Sequence, residues 1–231
     1  MPVGALPKNT SVTRAAIFDL DGTLVDSLPG ITAGLNQALD SHGLPVHPAS
    51  RVETFIGDGS RMLVRRGIGG EPPGELVENV HREFLSAYAE SSLEGTCLYP
   101  GIREMLEELD SHGFPLGVCS NKPHQYTEQI MERMFSWVPW AMILGQQDSL
   151  PRKPDPSGAL QIARRMKLPP SEIAFVGDSL VDFETGRAAG MKTVLVEWGF
   201  TPAAELRKTE AALVSCATEL RRFLQAPHPG V

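Results

Sequence analysis

Short apolar runs alternating with helical stripes set the layout of this chain. Ala15 to Phe18 is an apolar run of strand length. The pattern then turns helical: Ile31, Leu35, Ala38 and Leu39 form an i, i+4, i+7, i+8 stripe that ends at Gly43, with Pro45 beyond. Segments near Val52–Phe55 and Met62–Val64 follow, separated by Gly57-Asp58-Gly59. After the break Gly69-Gly70-Glu71-Pro72-Pro73, Leu76, Val77, Val80, Phe84, Leu85 and Tyr88 predict another amphipathic helix. Nothing from Asp26 to about Thr96 alternates with period two, so this block reads as an all-helical insertion.

From Leu98 the style changes. Tyr99-Pro100-Gly101 is a turn, and Met105, Leu106 and Leu109 line a helix stopping at His112-Gly113. Apolar runs recur at Leu116 to Cys119, Ala141 to Leu144, Ile173 to Val176 and Thr193 to Val196. Helical stretches lie between them, at Tyr126 to Met134, Ala159 to Met166 and Phe183 to Ala189. Strands alternating with helices predict an α/β fold: an open parallel sheet covered on both faces, with the helical block inserted. The domain reading is a core of 14–25 and 98–225, a helical domain of 26–97, and loose tails at 1–13 and 226–231. Hinges are expected near Val25-Asp26 and Gly95 to Leu98.

Composition adds limits rather than identity. A chain of 231 residues with 42% hydrophobic content suits a single core with one insertion. The net charge of -7, without a basic stripe, argues against nucleic-acid binding but leaves an anionic small-molecule substrate open. Three widely spaced cysteines, Cys97, Cys119 and Cys216, argue against a disulfide scaffold and for a reducing cytoplasm. No start of the signal-peptide type and no membrane-length apolar run is present, so no membrane partner is expected. The sequence leaves monomer and homodimer equally open.

The chemistry sits where the apolar runs end, the edge at which open parallel sheets bind ligands. The first run leads into Asp19 and Asp21, two carboxylates that repel unless a cation or a shared proton offsets them. Gly22 and Thr23 make the turn behind them. The second run leads into Ser120-Asn121, the run at Ile173 into Gly177-Asp178-Ser179 with Asp182 beyond, and Lys153-Pro154 precedes a helix. Carboxylates without histidine or cysteine nearby favour a hard cation, Mg²⁺ foremost. Two carboxyls, a hydroxyl, a lysine and Mg²⁺ together fit phosphoryl transfer.

Each group also has a structural reading. Ser120 fits a turn or cap, Lys153 a surface lysine, Asp178 the N-cap of a helix from Leu180, and Asp182 a first-turn acid. Gly57-Asp58-Gly59 is open to two readings, an interhelix turn or a loop closing over the site. Arg61, Arg65 and Arg66 either meet a second anionic group or lie on a solvated face. His124 and Trp198 receive no role.

Taken together, Asp19-Leu20-Asp21-Gly22-Thr23, Ser120-Asn121, Lys153-Pro154 and Gly177-Asp178-Ser179-x-x-Asp182 resemble the four signature motifs of the haloacid dehalogenase superfamily, in order. The resemblance runs from Arg14 to about Leu224 and implies that the helical block is a cap. Leu98-Tyr99-Pro100-Gly101, Asn121-Lys122-Pro123 and Phe175-Val176-Gly177-Asp178-Ser179 look most like the bacterial phosphoglycolate phosphatases.

The resemblance implies that Asp19 attacks phosphorus and that Asp21 gives and then takes a proton. It implies that Asp19, Asp178 and the Asp21 carbonyl bind Mg²⁺. Gly22, Thr23, Ser120, Asn121 and Lys153 then cradle the phosphoryl group, with Asp182 behind them. On the second of their two readings, Gly57, Asp58, Gly59 and Arg61 would be the substrate loop of the cap. Dehalogenases of the superfamily lack the second Asp and phosphonate hydrolases have Ala there. The β-phosphoglucomutases carry a His where this chain has Ile31. A phosphate-monoester hydrolase is left, with 2-phosphoglycolate expected ahead of pyrophosphate and sugar phosphates. A non-catalytic binding protein on this fold should have lost a charged group, and none is missing.

Overall fold

The computed structural model describes residues 12–226; most of the two predicted tails lies outside them. The chain runs β1 (Ala15–Phe18), β2 (Val25–Asp26), α1 (Leu28–Ser41), α2 (Ala49–Val52), α3 (Ser60–Ile68), α4 (Gly74–Ser91) and β3 (Cys97–Leu98). There follow α5 (Ile102–Ser111), β4 (Leu116–Pro123), α6 (His124–Phe135), β5 (Met142–Gln146), α7 (Ser157–Met166), β6 (Ile173–Gly177) and α8 (Leu180–Ala188). The last elements are β7 (Lys192–Val196), α9 (Ala203–Leu206), β8 (Ala212–Val214) and α10 (Ala217–Gln225).

Six strands form a parallel sheet in the order β5-β4-β1-β6-β7-β8. The chain therefore winds one way from β1 to β4 and β5, and the other way to β6, β7 and β8. The crevice of such a sheet opens beyond the carboxyl end of the strand where the winding reverses. That strand is β1, and Asp19 is the next residue.

Strand alternation explains the two buried faces. Ala16 and Phe18 join Val118, Val176 and Val194 in one cluster with Leu106 of α5 and Leu220 of α10. Ala15 and Ile17 join Ile173 and Phe175 in another, against Ala159 and Ile162 of α7. Because both faces are covered, the strands read as continuous apolar runs rather than alternating ones.

The helices between β2 and β3 have a hydrophobic cluster of their own, built from Leu35, Leu39, Val64, Val80, Phe84 and Tyr88 among others. α1 and α4 approach closely because Gly34 has no side chain: a Cβ there would lie 3.3 Å from the Cα of Tyr88. Two sequence expectations needed adjustment here. Val25–Asp26 and Cys97–Leu98, without strand patterning, pair as a two-residue antiparallel ribbon where the block leaves and rejoins the core. The run expected to end at Cys119 continues to Pro123, with a register shift against β5 between those residues. β8, α9 and α10 were not foreseen; their apolar runs are too short to stand out.

Candidate active site

The site is assembled from the ends of three adjacent strands and one loop. Asp19 follows β1, with its N–H donating to Val176 O at 2.8 Å. Ser120, Asn121 and Lys122 are the last turn of β4 before Pro123. Asp178 follows β6, and Lys153 precedes α7 on a loop turned by a cis Lys153–Pro154 bond. Side chains from these segments line one solvent-open cleft of about 730 Å³, together with Gly57, Gly59, Ser60, Leu63, Phe84 and Tyr88 of the helical block.

Gly22 is required where it stands. Its φ is +81°, and a Cβ would lie 2.3 Å from Asp178 Oδ2. Thr23, fully buried, donates its hydroxyl to Asp178 Oδ1 at 3.3 Å. The N–H of Phe200 donates to Asp178 Oδ2 at 2.8 Å. Trp198 gains a place here: its Nε1 donates to Thr23 O at 3.1 Å and braces the turn.

The acids and bases sort into two sets. Lys153 Nζ lies 2.6 Å from Asp182 Oδ1 and 2.9 Å from Asp19 Oδ1, with its side chain 4% exposed. The first contact is a hydrogen bond; the second is an ion pair whose alignment falls short of one. Asp182 also accepts from the N–H and hydroxyl of Ser179, so it closes a capping box at the start of α8 and anchors Lys153. Ser179 is the N-cap, not Asp178, because the Asp178 carboxylate turns inward to Thr23 and Phe200.

The second set was not anticipated. Lys122, only 7% exposed, donates to both oxygens of Asp21 at 2.9 and 2.8 Å. Ser27 donates to Asp21 Oδ1 at 2.5 Å. The available signal was a lysine two residues beyond Ser120 in a strand that keeps going, hidden because the apolar run stops at Cys119. Asn121 spends its side chain structurally: it donates to Gly57 O and Lys153 O and accepts from the Lys153 N–H at 2.8 Å.

Burial sets the electrostatics. It pushes the Asp19 carboxyl up to about 6; Lys153 opposes this, while Asp182 and Asp21 add to it. It lifts Asp178 well above the usual carboxylate range, with Asp182 and Asp19 contributing. Burial disfavours the charge on Lys153, but Asp182 and Asp19 outweigh it and raise the ammonium above its ordinary value. Asp21 does the same for Lys122. Cys119 is pushed up to about 12 by burial, which leaves an inert core thiol.

These observations test the donor set for a metal. Oxygens of Asp19, Asp178 and Asp182 lie within 4.8 Å of one another, and burial, with the neighbouring carboxylates, lifts two of the three acids above their usual range despite Lys153. Hard oxygen donors with unbalanced negative charge fit a divalent cation of the Mg²⁺ type.

A pH dependence follows for the metal-free protein. The folded value for Asp19 lies above its unfolded 3.8. The native state therefore binds more protons, and stability falls as pH rises from about 4 through about 6. Two units at a buried site correspond to about 3 kcal/mol. Urea midpoints in chelator should decline over that window, more steeply than for Asp19→Asn. Mg²⁺ should remove the decline; midpoints that rise equally in both proteins would refute it.

On the helical side, Gly57 and Gly59 line the cleft, whereas Asp58 turns away to Arg66 and its carbonyl accepts from Arg152 at 2.8 Å. Arg61 is not brought to the cleft: its guanidinium pairs with Glu78. Arg65 is exposed, and no arginine is among the described lining residues. His124 Nδ1 accepts from the Gly145 N–H, outside the cleft.

Comparison with known proteins agrees with this geometry. The family model for haloacid dehalogenase-like hydrolases matches residues 16–196. The phosphoglycolate phosphatase of Pectobacterium atrosepticum is 34% identical over 205 residues, covering 87% of this chain and 88% of its own. That of Escherichia coli K12 is 34% identical over 207 residues, covering 81% and 82%. A crystal structure from Lactobacillus delbrueckii subsp. bulgaricus, assigned provisionally to the phosphoglycolate phosphatases, superposes with a TM-score of 0.86 at 27% identity, covering 94% of this chain and all of that one.

Proposed function

The chain belongs to the haloacid dehalogenase-like hydrolases, and on that premise we propose that it hydrolyses 2-phosphoglycolate through a phosphoryl group carried on Asp19. One observation carries the reading: Asp19, Ser120, Lys153 and Asp178, from four separated segments, line a single cleft. The choice of substrate follows relatives that bear the name phosphoglycolate phosphatase.

Asp19 is the nucleophile. A carboxyl titrating near 6 is ionised at neutral pH, and Lys153 holds one of its oxygens. Its free oxygen attacks phosphorus, the ester oxygen leaves, and Asp21 protonates it. Water then attacks the phosphoryl-aspartate, Asp21 takes the proton, and phosphate and the Asp19 carboxylate are restored. Both Asp21 oxygens accept from Lys122 at rest, so Lys122 must release one of them before that oxygen can meet the ester oxygen. Ser120 and Lys153 hold phosphoryl oxygens. Bound by Asp19, Asp178 and the Asp21 carbonyl, Mg²⁺ would stabilise charge on the phosphoryl group.

Residues 26–97 act as a cap on the core of 14–25 and 98–225, hinged at the β2–β3 ribbon. The Gly57–Gly59 loop excludes water; Asn121 and Arg152 hold its carbonyls against the core. The setting is the cytoplasm, in keeping with three unpaired cysteines and with no helix among the described residues long and apolar enough to cross a membrane.

The test is a panel of 2-phosphoglycolate, pyrophosphate and sugar phosphates with Mg²⁺ and with chelator. Phosphoglycolate should give the highest kcat/KM, and chelator should abolish turnover. A rank well below the others would remove the substrate assignment; full activity in chelator would remove the metal.

A further inference from the structure

Tyr88 lines the cleft, and the chemistry above leaves its buried hydroxyl unused. It lies on α4, is 2% exposed, and lacks a hydrogen bond of good geometry. Its ring is fixed: Phe84 stacks on it at 5.4 Å, and Tyr126 meets it edge-on at 5.2 Å. The Tyr126 hydroxyl is already spent on Leu85 O at 2.6 Å. A buried hydroxyl without a partner is disfavoured unless a ligand completes it.

Lys122 stands beside it, with Nζ 4.8 Å from the ring centre. An ammonium has three donors: Asp21 takes two of them, and the third faces the Tyr88 hydroxyl without good alignment, which leaves the phenol proton to be placed. Asp21 serves the ester oxygen, so groups flanking it meet the first atoms of the leaving group. Ile31, Ile56, Leu63 and Phe84 supply the apolar part of the lining. Among the described residues, no arginine lines the cleft.

We propose that the Tyr88 hydroxyl, beside the charge of the Lys122 ammonium, forms the subsite for a carboxylate on the carbon that bears the ester oxygen. This rests on the phosphatase reading and names its substrate class, small phosphomonoesters with an α-carboxylate. The phenol donates one hydrogen bond and the ammonium supplies the charge. Tyr88 is thus a specificity-determining residue.

Tyr88→Phe keeps the ring contacts and removes the hydroxyl. The ratio of kcat/KM for 2-phosphoglycolate to that for ethyl phosphate should fall about tenfold, through KM, as a lost hydrogen bond to a charged group implies. In the wild type, glycolate should inhibit at least about tenfold more strongly than neutral glycolamide. An unchanged ratio, or equal loss on both substrates, overturns the proposal, as does equal inhibition. Wild-type turnover of ethyl phosphate without 2-phosphoglycolate overturns the subsite while the phosphatase reading stands. Turnover of neither ends both.

Discussion

Asp19→Asn should give a folded protein that no longer turns over phosphate monoesters. The amide keeps the shape of the carboxylate but lacks the anionic oxygen that the proposed mechanism bonds to phosphorus. Losing a covalent nucleophile costs roughly 10⁴-fold or more in kcat. The fold should survive, because Lys153 retains its 2.6 Å bond to Asp182 and burial already disfavours the Asp19 charge. Phosphate release and a thermal melt settle the matter together. Turnover within tenfold of the wild type, in a protein of normal Tm, would remove Asp19 from the nucleophile's role.

Lys153→Met should be damaging in a different way, lowering stability and activity at once. Methionine fills the space, but Asp182, fully buried, and Asp19 lose their common cation. Removing one partner of a buried ion pair costs about 3–5 kcal/mol, since the remaining charge is stranded. Loss of a group proposed to hold phosphoryl oxygens should add about 100-fold or more in kcat. Adding Asp182→Asn to Lys153→Met should recover part of the stability, because one of the two stranded carboxylates is gone, and none of the activity. The two changes should be non-additive by more than about 1 kcal/mol in urea denaturation. A loss under about 1 kcal/mol with activity kept would mean that Lys153 does not hold the acid cluster together.

Asp19 and Lys122 illustrate how far sequence reading reached. Asp19 was legible because its setting is local: an apolar run of strand length, a carboxylate, and a Gly-Thr turn. The same holds for Asp178, and for Lys153 beside its proline. Lys122 was not legible, although it sits next to Asn121, because its role depends on a partner 101 residues away. Trp198 was silent for the same reason, since its contact is the carbonyl of Thr23 in another segment. Asp182 had two readings, helix acid or supporting partner, and its two oxygens perform both.

By itself the sequence determined the strands that carry the acids, the helical character of the block between them, and the order of the four motifs. Those properties follow from runs and spacings within a few residues, where backbone preference and side-chain alternation dominate. Only the tertiary structure decided that Asp19 shares Lys153 with Asp182 while Asp21 is held by Lys122 and Ser27. It alone brought Tyr88 of α4 to the cleft and kept Arg61 away from it. Charge pairing in a buried cleft depends on which segments pack together, and packing is settled by the whole fold.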